Sequence, residues 1–351
     1  TKNNQKDNDH KYKIYWEDTK MEFSATAGTA GGSLKALFEV RDGDNLENFK
    51  GKVTKADSYS LTVENISIDN IKSLNLPDKD GKITVNNISY SYDSWEAQVD
   101  AQGNIKSVTF NLSKDKAIAD PEKTVAEGYL LNAGSAINAR GIPYYMTQLN
   151  EFVRNFSEMF NQIESKGQNL NGDTPPTFFE AITNTAKVYD FSESEAYSKL
   201  PDGQTATINS SSNTYYRMTA ANFSVNKDVM NDVSLFATST DYVKTDSCDI
   251  VDELKKLQSE KTVYRGDKAE SFLETIISNV SVDTEKAETY NKLYSNLEQT
   301  IANQRTSVSG VDEDEEALNL VKFQYSYNMA SKIISVMNQM LDKLINDTGV
   351  A

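Results

Sequence analysis

Apolar side chains at Leu320, Phe323, Tyr327, Ala330, Ile334, Met337, Leu341 and Leu344 recur in alternating steps of three and four. That spacing puts them on one seam of a single long α-helix. A second stripe, Met329, Ile333, Val336 and Met340, runs beside the first. Together the stripes make a face wider than one neighbouring helix covers. The helix is therefore either an internal member of a bundle packed by its own chain, or an element whose surplus face another segment or subunit closes. Only Asp347–Ala351 follow it in this sequence, which favours the second reading. Each large apolar side chain gains roughly 1.5–3 kcal/mol on full burial, and such a helix left in water is sticky and marginally ordered. It is expected to dock on a partner.

Helical periodicity appears in four other places. Positions 273, 276, 280, 283, 287, 290, 294, 297 and 301 repeat the heptad spacing and, apart from Asp283, carry residues suited to a buried seam. They predict a helix from Asp267 to about Arg305, broken at Ser307–Gly310. The final helix then opens on Asp312, Glu313, Asp314, Glu315 and Glu316, whose charge complements the helix dipole. Ile250, Leu254 and Leu257 mark a short helix. Tyr145, Leu149, Phe152, Phe156, Met159 and Ile163 mark a long one, opened by Pro143 and stopped at Gly167. Leu34, Leu37 and Phe38 predict a helix from Ser33, as N-cap, to Arg41.

Strand signals lie elsewhere. Tyr12, Ile14 and Trp16 alternate before glycines 28, 31 and 32. From 53 to 112 the period is two: Leu61 and Val63, Ile66 and Ile68, Ile83 and Val85, Ile88, Tyr90 and Tyr92, then 95–99 and 105–112 joined by a turn at Ala101-Gln102-Gly103-Asn104. Residues 113–140 read as a polar connection. Residues 185–245 read as a second β region with helical turns near 227–237. The expected fold is α+β and multidomain: a long antiparallel, coiled-coil-like α-helical bundle with one or two small antiparallel β-rich domains. Its expected divisions are a strand segment and short helix (1–52), a small β domain (53–140), a long helix and loop (141–180), a β-rich middle domain (181–247) and a C-terminal helical assembly domain (248–351).

Charge narrows the partners. The 351 residues carry 36 Lys+Arg against 52 Asp+Glu, a net charge of −16. That field repels nucleic acid and anionic membranes, and no apolar run is long enough to span a bilayer. No cleavable secretory signal opens the chain, and its start at Thr1 without Met suggests a fragment. The single cysteine, Cys248, rules out an intrachain disulfide and reads as a buried or incidental thiol. His10 is the only histidine, so neither a catalytic triad nor a His-based zinc site is expected. Asp78-Lys79-Asp80-Gly81 begins like a calcium loop, but its twelfth position is Ser89 where a glutamate is required. No catalytic, metal or cofactor residues are nominated, and no enzyme activity is expected. Tyr90, Tyr92 and Trp95 would form an aromatic groove for carbohydrate if exposed, or one packed sheet face if not.

The run Ser309-Gly310-Val311-Asp312 through Glu315-Glu316, followed by Asn319-Leu320-Val321-Lys322-Phe323-Gln324 and ending Met340-Leu341-Asp342-Lys343-Leu344-Ile345, resembles the C-terminal signature of flagellar axial proteins. It is most similar to the flagellar hook-associated protein 1 family. Three further blocks resemble that family in order: Gly31–Asp42, Leu149 to Phe178-Phe179, and Ala221–Asn226. The resemblance implies a structural subunit of the hook–filament junction, exported unprocessed by the type III apparatus and placed outside the cell. Its implied partners are copies of itself in a ring, the hook protein, the second junction protein, and an export chaperone on the C-terminal helix. It also makes 53–140 an insertion and leaves the family's N-terminal helices outside this sequence. The interface it implies is Leu320, Phe323, Tyr327, Met329, Ile333, Ile334, Val336, Met337, Met340, Leu341 and Leu344. Another axial flagellar protein, or an adhesive or carbohydrate-binding surface protein, is the alternative.

Overall fold

The computed structural model describes residues 15–20, 31–77, 81–114, 117–134, 136–183, 187–243, 247–264 and 266–347. Tyr12, Ile14, Gly28, His10 and Asp78–Asp80 lie outside them. Helix α1 (Gly32–Asp42) precedes strands β1 (Phe49–Asp57), β2 (Ser60–Glu64), β3 (Gly81–Val85), β4 (Ile88–Val99) and β5 (Ile105–Leu112), then α2 (Pro121–Thr124) and β6 (Leu130–Ala133). There follow α3 (Ile142–Glu164), β7 (Phe179–Ala181), α4 (Ser192–Ser198), β8 (Ala206–Asn209), β9 (Phe223–Val225) and α5 (Lys227–Asn231). Helix α6 (Asp249–Ser259), β10 (Thr262–Tyr264), β11 (Asp267–Lys268), α7 (Ala269–Ser309) and α8 (Glu313–Asn346) complete the described chain. Two units divide at Ile277.

Six strands of the first unit close into an antiparallel barrel in the order β3-β6-β1-β2-β5-β4, shut by pairing of β3 with β4. Closure falls to β4, which is long enough to pair with β3 through Ile88–Tyr92 and with β5 through Tyr92–Val99. Register breaks at Tyr92/Ser94 and Gln98/Val99 let it bend between partners. Asn86 and Asn87, both at positive φ, make the two-residue turn before it. Gly81 sits opposite Tyr92, where a Cβ would collide with the ring. Its absence lets the Tyr92 hydroxyl donate to the Pro77 carbonyl at 3.2 Å.

Inward-facing positions fill the barrel with Leu61, Ile83, Tyr92, Trp95, Phe110 and Leu131, all fully buried. Phe110 contacts Tyr92 and Phe49 at ring distances of 5.1 and 5.5 Å. Tyr90 is buried too, so the three rings that could have formed a carbohydrate groove are core residues. The polar connection 113–140 contains a barrel strand, β6, and β8 joins the barrel from far along the chain by pairing with β4. Among the described residues of 181–247 are the end of β7 and the short strands β8 and β9, with turns and short helices between them.

Helix α3 is buried on two sides. Its apolar side packs Phe152 on Phe272 at 5.2 Å and buries Ile163. Its other side is polar and equally enclosed: Gln148, Glu151, Arg154, Ser157, Glu158, Asn161 and Glu164 are all buried. The Arg154 guanidinium donates to the carbonyls of Met218 (2.9 Å), Lys72 (2.7 Å) and Leu74 (2.8 Å), and lies 4.6 Å from the Tyr216 ring. Glu158 pairs with Lys72. The Asn161 amide both accepts from the Phe179 amide and donates to its carbonyl, fixing β7 along the helix. Glu164 accepts from the Ala237 amide at 2.7 Å.

Three local expectations are corrected. The N-cap position of α1 is Gly31, which makes no side-chain cap, and Ser33 lies inside the first turn. Of the two readings of Cys248, buried or incidental, the buried one is corrected: the thiol is exposed at the N-cap position of α6. The long antiparallel bundle is not formed: α7 and α8 follow one another across Gly310–Asp312 and do not pack side by side.

Two predictions follow from α3. Arg154→Met leaves three carbonyls without their donor in a buried site, and should destabilise the first unit by about 3–5 kcal/mol in urea unfolding. Burial pushes the Glu164 carboxyl up from 4.5 to about 7, against the opposing effect of the Ala237 amide. The folded state then holds this proton more tightly than the unfolded chain, so stability is greatest below the unfolded value and falls as pH rises towards 7. Glu164→Gln should abolish that decline, gaining up to about 3 kcal/mol at neutral pH and little below about pH 4. Parallel urea titrations of parent and variant across this range check it.

Candidate assembly surface

The start of α8 is built by local chemistry. Helix α7 runs to Ser309, four residues beyond the expected end at Arg305, and Ser309 Oγ donates back to the Arg305 carbonyl at 2.8 Å. The Gly310 amide then closes on the Thr306 carbonyl at 2.6 Å, where a Cβ would collide with that oxygen. Val311 is exposed. Asp312 is the N-cap of α8, its Oδ1 accepting from the amides of Asp314 (3.0 Å) and Glu315 (3.3 Å). Glu313, Asp314, Glu315 and Glu316 fill the first turn, where two free amides have gained a side-chain acceptor and the dipole favours negative charge.

Along α8 no side chain is buried. The first stripe places Leu320, Phe323, Tyr327, Ile334, Met337, Leu341 and Leu344 in the open, with Phe323 and Tyr327 each 73% exposed. Met329, Ile333, Val336 and Met340 of the second stripe are exposed as well. The helix thus presents every one of these residues on one continuous surface and gathers none of them into a pocket. The two stripes as read from the sequence left out Leu318, Val321 and Tyr325, exposed apolar residues that extend the second stripe back over the first turns of α8. Their steps of three, four and four to Met329 are the signal that finds them.

Beyond Ile276 the α7 seam is likewise open, with Val280, Tyr290, Tyr294, Leu297 and Ile301 exposed and the two tyrosines stacked at 6.4 Å. Among the described residues no helix is long and apolar enough to cross a membrane. These rods offer apolar area and shape, with no group placed for bond chemistry. They are suited to association.

Similarity to known proteins falls on the same segment. Residues 302–347 match the family model of the flagellar basal body rod FlgEFG protein C-terminal region, the end of α7, the break and all of α8. The class this segment resembles is that of flagellar axial structural proteins. Over 341 residues the chain is 21% identical to flagellar hook-associated protein 1 of Bacillus subtilis (strain 168), an alignment taking in 95% of this chain. The resemblance carried by the Ser309–Glu316 motif therefore extends along nearly the whole sequence. The chain spans 56% of that relative's length.

Capping at Asp312 is testable by amide exchange in the full chain. Asp312→Ala should cost about 1 kcal/mol of local stability and speed exchange at Asp314 and Glu315 roughly fivefold. Asp312→Asn should leave both near the parental rate, and equal rates in all three proteins would exclude the cap.

Proposed function

We propose that the chain is a structural subunit of the bacterial flagellum that forms the hook–filament junction, associating with its neighbours through α7 and α8. The observation that carries this reading is α8 itself, a capped helix whose apolar residues are all exposed. Surfaces of that extent are interaction sites on soluble proteins. Leu320, Phe323, Tyr327, Met329, Ile333, Ile334, Val336, Met337, Met340, Leu341 and Leu344 form the interface. The Ser309–Glu316 motif supports it by ending one rod and capping the next.

The partners in this reading are copies of the chain in a ring, the hook protein and the second junction protein, outside the cell. Before secretion by the type III route an export chaperone covers α8, which would otherwise expose its apolar face in the cytoplasm. No cofactor takes part. The barrel is an outward module, and the neck supports that role. Gly141 donates to the Gly43 carbonyl at 3.1 Å, so the chain leaves for the barrel and returns at one place. The rod-family match at 302–347 favours, as a second reading, a different axial subunit using the same helix. The position of labelled protein along the flagellum separates the two.

Removing residues 320–351 should abolish incorporation at the junction while leaving the barrel native, as read from emission of the buried Trp95. Phe323→Asp with Ile334→Asp should weaken association by at least about tenfold. Normal incorporation of either variant would refute the interface.

A further inference from the structure

Away from the two rods, the first unit holds a cleft of about 730 Å³ between the C-terminal half of α3, the Pro175–Glu180 segment, the Val188–Glu195 stretch and the start of α5. Five carboxylates line it, Glu158, Glu180, Asp190, Glu195 and Asp228, against Lys227 as the lining cation. Most of these are accounted for. Lys72 neutralises Glu158, Asp190 accepts from Ser192, and Glu195 and Asp228 face solvent.

Glu180 is different. It sits in the middle of β7 and is only 4% exposed. Among the described residues its carboxylate has no hydrogen-bond or ion-pair partner. Burial first, then the charge of Asp228, holds its carboxyl above the ordinary value, and Lys227 offsets them only in part. The residue is enclosed on its other sides, so its carboxylate keeps its solvent contact through a cleft of binding-site size, where a partner would meet a partly desolvated charge.

The surroundings define what would satisfy it. An anion is repelled by the lining charge. Among the described residues no group of three or more His, Cys, Asp or Glu side chains is gathered to hold a metal ion. Pro175 and Pro176 with the rings of Tyr189 and Phe191 give apolar flanks to the polar end. That combination suits a charged nitrogen on a slender apolar stem. We infer that the cleft binds an organic cation, an alkylammonium or guanidinium group, against the Glu180 carboxylate.

Calorimetric titration of the full chain with spermidine and with N-acetylarginine amide tests this. At least one probe should bind saturably, and the probe that binds identifies the nitrogen group. Glu180→Gln should weaken that binding about 10- to 100-fold. Glu253→Gln, the same charge change on α6 outside the cleft, should leave it unchanged. No binding of either probe at millimolar concentration, or equal weakening by the two variants, overturns the assignment, the latter because it reveals diffuse attraction to the net charge of −16. Asp228→Asn, on the cleft surface, provides the same comparison with a smaller loss expected should Glu180→Gln prove unfolded by circular dichroism.

Discussion

The first unit depends on one buried cation. Arg154 projects from the middle of α3 into a site where the carbonyls of Lys72 and Leu74, at the edge of the barrel, meet that of Met218 from a turn far along the chain. Those carbonyls belong to irregular backbone with no ladder of its own, and buried carbonyls must find donors. A guanidinium supplies several N–H groups in one rigid plane, which no other side chain does. Tyr216, whose ring lies against the same guanidinium, donates its hydroxyl to the Leu76 carbonyl at 2.7 Å and meets Trp95 of the barrel edge-on at 5.0 Å. Helix, barrel and turn therefore share one hydrogen-bonded node, and their relative placement is set by donor geometry as much as by apolar packing.

Much of this was visible in the sequence, and the part that was not has a common cause. Two-residue alternation at Leu61/Val63, Ile83/Val85 and Tyr90/Tyr92 marked strands correctly because one face of each is buried. Closure into a barrel was not legible, since it depends on which strand pairs with which, and β8 is recruited from more than a hundred residues away. β6 was hidden because four residues, Leu130–Ala133, are too few to show a period. The polar face of α3 was hidden for the opposite reason. Gln148, Glu151, Arg154 and Glu158 look like a solvated helix side, and only the carbonyls and ion-pair partner brought to them by distant segments make them interior. Of the candidate surface, the stripes and the cap at Asp312 were legible because both are local. The cleft around Glu180 was not, being assembled from four separate stretches and Tyr215.

The same node limits how far the barrel can be regarded as separable. Its two connections meet at a neck where Gly43 and Gly141 approach closely enough that a Cβ on either would strike the carbonyl of Glu39, and where Asp44 Oδ1 accepts from the Ile137 amide at 2.9 Å. A chain could be rejoined there with little rearrangement. Yet excision would strip β8 of its partner, leave Trp95's contact Tyr216 exposed, and remove two of the three carbonyls held by Arg154. The covalent architecture is that of an add-on. The packing is that of an integral part, and a charged α3 face would remain behind.

Charge distribution along α8 gives the most direct argument that its exposed state is incomplete. A long helix meant to live in water carries charges around its circumference, often as pairs four residues apart, for solubility and local support. Between Ala317 and Leu341 the only charged side chains of α8 are Lys322 and Lys332. The side away from the apolar stripes is made of Gln324, Asn328, Ser331 and Ser335, which form hydrogen bonds at modest desolvation cost. Depletion of charge is the compositional mark of an interface core rather than of a solvated face. Even the non-apolar side is thus fit to be covered, so the helix is suited to burial around most of its circumference. One flat contact would leave part of that surface wet. Contact on several sides is what this composition suits.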